Sequence, residues 1–390
     1  MTRILILTAG FGEGHNAAAR NLAGAIERLA GPGSAPVIDL LEAASPRLTR
    51  LFRRFYYAAI NGHPRIWRAA YAWTDRCRIP PRHLWLFRAE LRALAALLAD
   101  QRPAAVCCTY PVYAFLLEHL ARNAPPVAPW FNIVTDSISI HSMWARPPCA
   151  GWFVPNRETA DILQEMGVPA AKIHALGFPV PAFFDDHAGD LAPPELADGA
   201  APRVLYMVHS GVRHARSIAR RLIEAGEWDI TLAVGRDARL RRQLEQWAAG
   251  RPRPAQVLGW TDQVPRLLMT HHILVSKAGG ATTQEAIAAR CPLLVNQIVP
   301  GQEEGNYELL RRHNVGAYTP TPDAVISELR LAFANGGAVW HQWRAALSRL
   351  ARPDASRVIA RRLLAPLDPL TASPRPDNRP WKRSVSTSAR

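Results

Sequence analysis

The chain has 390 residues, 48% hydrophobic and 20% charged, which is enough for two ordinary domains and typical of globular proteins. No apolar run approaches the roughly 18 residues of a membrane span. The five cysteines (Cys77, Cys107, Cys108, Cys149 and Cys291) lack CxxC spacing, which argues against a disulfide framework or a zinc site. The formal charge of +15 rests almost wholly on arginine, since only Lys172, Lys277 and Lys382 are lysines.

The opening MTRILILTAG is basic and then apolar, but it runs into FGEGHNAAA instead of a small-residue cleavage site. Residues 3–8 therefore read as a buried first strand and not as a signal peptide, and a cytoplasmic protein is expected. The loop Gly10-Phe11-Gly12-Glu13-Gly14-His15 follows, and residues 16–29 carry Ala, Leu and Ile at helical spacing. A Gly-rich loop between a first strand and a helix lines the ligand edge of a doubly wound sheet. The dinucleotide spacing G-x-G-x-x-G is not met, because Ala17 follows Gly12 and Gly14, so NAD binding is disfavoured.

Further strands are predicted at residues 37–39, 106–108 and 130–135, with helical segments between them that include residues 84–98. Between Pro46 and Arg92 eleven arginines, Arg53 and Arg54 among them, are opposed only by Asp75 and Glu90. Phe52, Phe55, Tyr56, Tyr57, Trp67, Tyr71, Trp73, Trp85 and Phe87 are interleaved. Such a segment suits an anionic membrane surface, where arginines meet headgroups and aromatic rings sit at the interface. Nucleic acid could use the same chemistry, but no recognisable nucleic-acid module accompanies it. Val134-Thr135-Asp136 ends a predicted strand, with His141 and Trp144 downstream.

A Pro/Gly-rich interruption at residues 176–202 precedes a second strand–helix series. Strands are predicted at 204–208, 230–234, 256–258 and 273–275, and helices at 215–225, 237–248 and 264–269. The alternation predicts an α/β protein of two doubly wound, Rossmann-like domains facing a cleft. We divide it into a first domain (1–178), a linker (179–202), a second domain with a terminal helix (203–364) and a disordered Pro/Ser/Arg tail (365–390).

The most specific stretch is VSKAGGATTQEAIAARCPLLVNQIVPGQEEGN, residues 275–306. It reads as strand, Gly-Gly turn, helix, strand and polar loop. Gly279 and Gly280 permit a sharp turn and close backbone approach to a ligand. Thr282 and Thr283 are placed to cap the helix, whose free N–H groups make an anion site. Glu285 is expected in its first turn, within reach of a hydroxyl-bearing group beside the anion. A cradle, a carboxylate and the Gln302-Glu303 loop suit a sugar nucleotide.

This segment resembles the donor-binding signature of glycosyltransferase family 28, in the branch of galactolipid synthases and processive diacylglycerol glucosyltransferases. GEGHNAAA, VTD with His141 and Trp144, and Gly259-Trp260-Thr261-Asp262 resemble further segments of the same branch. The resemblance covers residues up to about 350 and implies the GT-B fold, with a final helix near 339–364 crossing back to the first domain. It implies donor contacts from Gly12, Gly14, Lys277, Gly279, Gly280, Thr282, Glu285 (ribose), Gln302, Glu303 and Asn306. His15 or Asp136 is the candidate base, and His141, Trp144, Arg53, Arg54 and Trp67 are expected at the acceptor or membrane side. The family's Gly-rich turn is thinned here to His209-Ser210-Gly211-Val212-Arg213.

The expected activity is inverting transfer of a hexose from a UDP-sugar to a lipid, with diacylglycerol as the expected acceptor. It would take place on the inner face of the cell membrane, with peripheral association and no cofactor; no Asp-x-Asp metal motif occurs. The alternatives are a UDP-N-acetylglucosamine enzyme on the same fold (a peptidoglycan-precursor transferase or a 2-epimerase) and a non-catalytic UDP-sugar-binding protein.

Overall fold

The computed structural model describes residues 3–62, 69, 73–75, 84–123, 127–196, 201–209, 211, 214–251, 253, 255–301 and 303–365. Two parallel six-stranded sheets organise the chain. In the first, β1 (Ile4–Thr8), β2 (Val37–Asp39), β3 (Ala105–Cys108), β4 (Trp130–Ile133), β5 (Gly151–Val154) and β6 (Ile173–Ala175) lie in the order β2-β1-β3-β4-β5-β6. The runs ILILT and AVCC are buried throughout, because helices cover both faces of a parallel sheet. Those helices are α1 (Glu13–Ala30), α2 (Leu40–Ala44), α3 (Pro46–Gly62), α4 (Arg88–Gln101), α5 (Val112–Asn123) and α6 (Arg157–Glu165).

After a short helix α7 (Phe183–Asp186), the second sheet is built from β7 (Arg203–Met207), β8 (Asp229–Ala233), β9 (Ala255–Leu258), β10 (Ile273–Lys277), β11 (Leu293–Gln297) and β12 (Ala317–Tyr318). Its order is β12-β11-β10-β7-β8-β9. The helices are α8 (Ala215–Ala225), α9 (Ala238–Ala248), α10 (Val264–Thr270), α11 (Gly280–Ala288), α12 (Glu304–Arg312), α13 (Pro322–Leu350) and α14 (Ala355–Leu364). Strand order reverses between β1 and β3 and again between β7 and β10. In open α/β sheets, ligands bind in the crevice at such reversals, beyond the carboxyl ends of the strands.

Most predicted strands recur within one to three residues, but β5, β6 and β12, the helices α2, α3, α5, α6, α7 and α12, and the first part of α13 were not located in the sequence. GWFV, IHA and AY are too short to show a period of two. The predicted terminal helix is two pieces. α13 bends at residues 334–337, where Asn335, Gly336 and Gly337 have positive φ, and it ends before Arg352-Pro353. α14 then crosses to the first domain, where Ile359, Ala360 and Leu363 pack with Ile4, Ile6, Leu22 and Ile26. Gly177 (φ +101°) admits this crossing, since a Cβ there would lie 2.7 Å from the Ala355 Cβ. Residues 366–390, with the tail expected to be disordered, lie outside the described residues, as does Trp67. Among the described residues no helix is long and apolar enough to cross a membrane.

Candidate functional site

The first half of the site forms at the carboxyl ends of β1, β3 and β4. Gly12, with φ 115° and ψ 145°, ends the loop after β1 and starts α1 three residues earlier than predicted, so His15 lies in the helix's first turn. There His15 is buried, with Nδ1 2.9 Å from Thr135 Oγ1. Its ring meets Tyr110 edge-on, with centroids 5.2 Å apart. Burial lowers its pKa, partly offset by the nearby Asp136 carboxylate and the Thr109 carbonyl. Asp136 follows β4; burial raises its pKa, against the pull of His15 and a hydrogen bond donated by Trp144 Nε1 to Oδ2 at 3.2 Å. The two base candidates thus form one electrostatic pair whose proton belongs to both.

Two neighbours have other tasks than those expected. Trp144 is fully buried, its carbonyl accepts from Trp152 Nε1, and its ring lies 6.5 Å from that of His15, so it supports the His15–Asp136 pair from within the domain and is not part of an exposed membrane face. His141 is buried and accepts from the Met143 N–H at 3.2 Å, while Nδ1 lies 3.3 Å from Asp75 Oδ1 and Nε2 lies 3.3 Å from Thr74 Oγ1. It ties the 73–75 segment to the strand end. Burial lowers its pKa, countered by Asp75.

The second half faces the first across a narrow seam. α11 begins at Gly280 with Gly279 as its cap residue and no side-chain cap. This corrects the expectation that Thr282 and Thr283 cap it: both lie inside the first turn, and Thr283 is buried. Gly279 gives the first amides of α11 no side-chain cap, and the positive end of the helix suits an anion. Gly280 serves close approach between the domains: a Cβ there would stand 3.2 Å from the Thr135 carbonyl oxygen. Gly305 has the same role, because its Cβ would stand 1.9 Å from the Ser137 carbonyl oxygen. Gly14 of α1 faces the Ala281 amide, and Gln284 Nε2 donates to Ser137 Oγ at 3.0 Å.

Glu285 falls one turn deeper in α11 than expected, with Glu13 and Arg20 of α1 as its charged neighbours. Burial, reinforced by Glu13 and opposed by Arg20, pushes its pKa up to about 7. Lys277 forms an ion pair with Glu303, whose second oxygen accepts from the Val299 amide at 3.0 Å. Glu303 is thus fixed beside Gly279, with both carboxylate oxygens already engaged. Asn306 donates to the Ala278 carbonyl at 3.0 Å, and its buried Oδ1 has no hydrogen-bond partner. Gln302 and Arg213 lie outside the described residues.

The sequence reading assigned no role to His209, which follows β7 with Nε2 3.4 Å from Ser276 Oγ. Burial, then the Lys277 ammonium, pulls its pKa down to about 4, so it stands neutral beside the α11 cradle. Its only signal was its place where a glycine-rich turn was expected. Trp260 is exposed, with the Arg236 guanidinium 5.9 Å from its ring. Among the described residues no three His, Cys, Asp or Glu side chains are grouped to hold a metal.

Arg53 is corrected as a headgroup ligand. Its guanidinium turns inward, to Asp39 at 2.6 Å and Glu42 at 3.1 Å, beneath Gly10. Arg54 is exposed.

With this geometry in view, residues 15–180 match the monogalactosyldiacylglycerol (MGDG) synthase family. The chain is 21% identical over 375 residues to a processive diacylglycerol beta-glucosyltransferase of Bacillus subtilis, covering 95% of this chain and 97% of that one. It is 23% identical to the Bacillus licheniformis protein of the same name, over 78% of this chain and 79% of that one. The chain is thus similar to the galactolipid synthases over residues 15–180 and to the diacylglycerol glucosyltransferases over most of its length. Its fold is GT-B. MurG of Acinetobacter baumannii superposes with a TM-score of 0.58 at 13% identity, covering 93% of this chain and 99% of that one. A UDP-GlcNAc 2-epimerase of Neisseria meningitidis superposes at 0.57 and 12% identity, over 93% of this chain and 100% of that one.

Proposed function

We propose that the protein is an inverting glycosyltransferase that moves a hexose from a UDP-sugar to the hydroxyl of diacylglycerol at a membrane surface. The observation that carries this reading is the opposition across one seam of the His15–Asp136 pair and the uncapped N-terminus of α11. A proton acceptor and an anion cradle on opposite walls are what displacement at an anomeric carbon needs. The diacylglycerol glucosyltransferase relatives supply the acceptor class.

In the reaction, the acceptor oxygen bonds to the anomeric carbon as the bond from that carbon to the diphosphate oxygen breaks. The hydroxyl proton passes to the His15–Asp136 pair, and UDP leaves with the bonding electrons. Attack from the side opposite the leaving group inverts the anomeric configuration. The α11 amides and Lys277 meet the charge of departing UDP, and Glu285 holds the ribose. Glu303, fixed by Lys277 and Val299, accepts from a hexose hydroxyl with the lone pairs those two contacts leave free. The reading requires no metal, so activity survives EDTA.

The test is incubation with radiolabelled UDP-glucose, UDP-galactose or UDP-N-acetylglucosamine over vesicles containing diacylglycerol, followed by lipid extraction. Label in the organic phase is expected, and the donor that gives it names the sugar. UDP binding with no labelled lipid would sink the reading. Epimerised donor formed without acceptor would replace it with the epimerase class.

A further inference from the structure

The part of the molecule that the chemistry above leaves unused is α3. At about 100° per residue, its sequence PRLTRLFRRFYYAAING separates into three faces. One carries Thr49, Arg53 and Tyr56 and packs on the domain. Thr49 is buried and donates to the Leu41 carbonyl at 2.8 Å, and Tyr56 meets Phe11 edge-on at 5.9 Å. The second carries Leu48, Leu51, Phe52 and Phe55 at i, i+3, i+4 and i+7, and all four are exposed, Phe55 by 64%. The third carries Arg47, Arg50 and Arg54, also exposed.

A stripe of that spacing is the pattern of a helix face meant for burial. Among the described residues, seven of the eleven exposed large apolar side chains fall between Leu48 and Leu86, so this surface is concentrated and not scattered. The helix holds four arginines and no acidic residue. An apolar stripe rimmed by exposed arginines, with no carboxylate anywhere on the helix, fits an anionic plane better than the mixed-charge surface of a protein partner.

Its attachment gives the position meaning. Arg53 holds Asp39, and the same Asp39 oxygen accepts from the Gly10 amide at 2.9 Å, so α3 is fixed to the loop that leads into His15. Phe11 of that loop stacks on Tyr110, which meets His15.

We propose that α3 is an interfacial helix that lies in the surface of an anionic lipid bilayer, with Leu48, Leu51, Phe52 and Phe55 inserted and Arg47, Arg50 and Arg54 among the headgroups. Arg53 and Tyr56 hold the seated helix against the cleft loop, so the cleft opens toward the leaflet that contains the acceptor. This rests on the lipid-acceptor reading, but it is tested without transfer activity.

The full chain is sedimented with vesicles of phosphatidylcholine alone or mixed with phosphatidylglycerol, and its hydrogen exchange is mapped with and without the mixed vesicles. Binding is expected to favour the mixed vesicles, to weaken with salt, and to slow exchange within α3. Leu51→Glu/Phe55→Glu should bind about 100-fold more weakly, with melting temperature and UDP affinity unchanged. Arg47→Ser/Arg50→Ser/Arg54→Ser changes only exposed side chains and should lose the preference for phosphatidylglycerol; it decides the matter should the first variant fold poorly. Undiminished binding by both variants, or vesicle protection only outside α3, overturns the proposal. So does a wild-type dimer that the glutamates split, which would make the stripe a contact between copies. Stripe-dependent binding without sugar transfer would instead remove the functional reading and leave this surface standing.

Discussion

The two walls of the cleft solve different physical problems. On the first domain, His15 meets Thr135 and Tyr110, and Asp136 meets Trp144, so each group is held by a neighbour within the wall. On the second, the amides of α11 have no side-chain cap, and Thr283 Oγ1, Asn296 Oδ1, Gln297 Oε1 and Asn306 Oδ1 are buried without partners. Buried polar atoms left unpaired are destabilising and rare in native proteins. The first domain has such atoms too, Trp130 Nε1 and Asn132 Oδ1 on β4 among them, so the difference rests on what each wall offers: a His15–Asp136 pair suited to moving a proton, and an N-terminus of α11 suited to an anion. On the proposed reading, chemistry belongs to the first domain and donor binding to the second, and substitutions can separate them.

The largest effect belongs to the first wall. Asp136→Asn and His15→Ala should each lower turnover by about 10²- to 10⁴-fold while UDP affinity stays within about twofold. A base must be deprotonated, so wild-type activity falls as pH drops. Burial raises the Asp136 pKa, which places this acid limb above the ordinary carboxylate range. Steady-state kinetics across pH, with calorimetry for UDP, check both points. A variant that loses UDP binding and turnover together would erase the distinction between the walls.

The converse is expected of Glu285. Glu285→Ala should weaken UDP binding by about 10- to 100-fold, the worth of hydrogen bonds to a charged group. With its pKa near 7, the carboxylate fraction falls as pH drops from 8 to 6, so UDP affinity should fall over that window in the wild type and stay flat in Glu285→Gln. Stability gives a second sign check. A carboxyl whose folded pKa lies above its unfolded value near 4.5 destabilises the fold increasingly as pH rises through about 7. Glu285→Gln should therefore raise the melting temperature of the free protein at pH 8 and leave it unchanged at pH 4. Calorimetry reads both, and a pH-independent UDP affinity in the wild type would remove the ribose role.

How much of this was legible in the sequence follows from how local each signal is. Strands such as ILILT and the Gly279-Gly280 turn are set by neighbouring residues, so alternation and strand positions could be read directly. Side-chain direction could not. Arg53 and Arg54 are adjacent, yet one turns inward to Asp39 and the other outward, because α3 rotates about 100° per residue. Gly280 was legible as a glycine that matters and Gly305 was not, and the carbonyls of Thr135 and Ser137 that require them lie more than a hundred residues away. The link between His15 and Thr135 spans 120 residues and left no local pattern at all.

Trp144 offers the smallest and most discriminating test. It touches Asp136 through one hydrogen bond, and that bond favours the carboxylate. Trp144→Phe removes the donor and retains an aromatic ring, so the Asp136 pKa should rise and the acid limb of the activity profile should move to higher pH. A bond worth about 0.5–1.5 kcal/mol shifts that limb by no more than about one pH unit. On the plateau above the moved limb, turnover should recover to within a few fold of wild type. A loss that is equal at every pH would mean that the indole only fills the core beneath β4. A shifted limb with a recovered plateau would identify Asp136 as a member of the titrating pair and Trp144 as the residue that sets its poise.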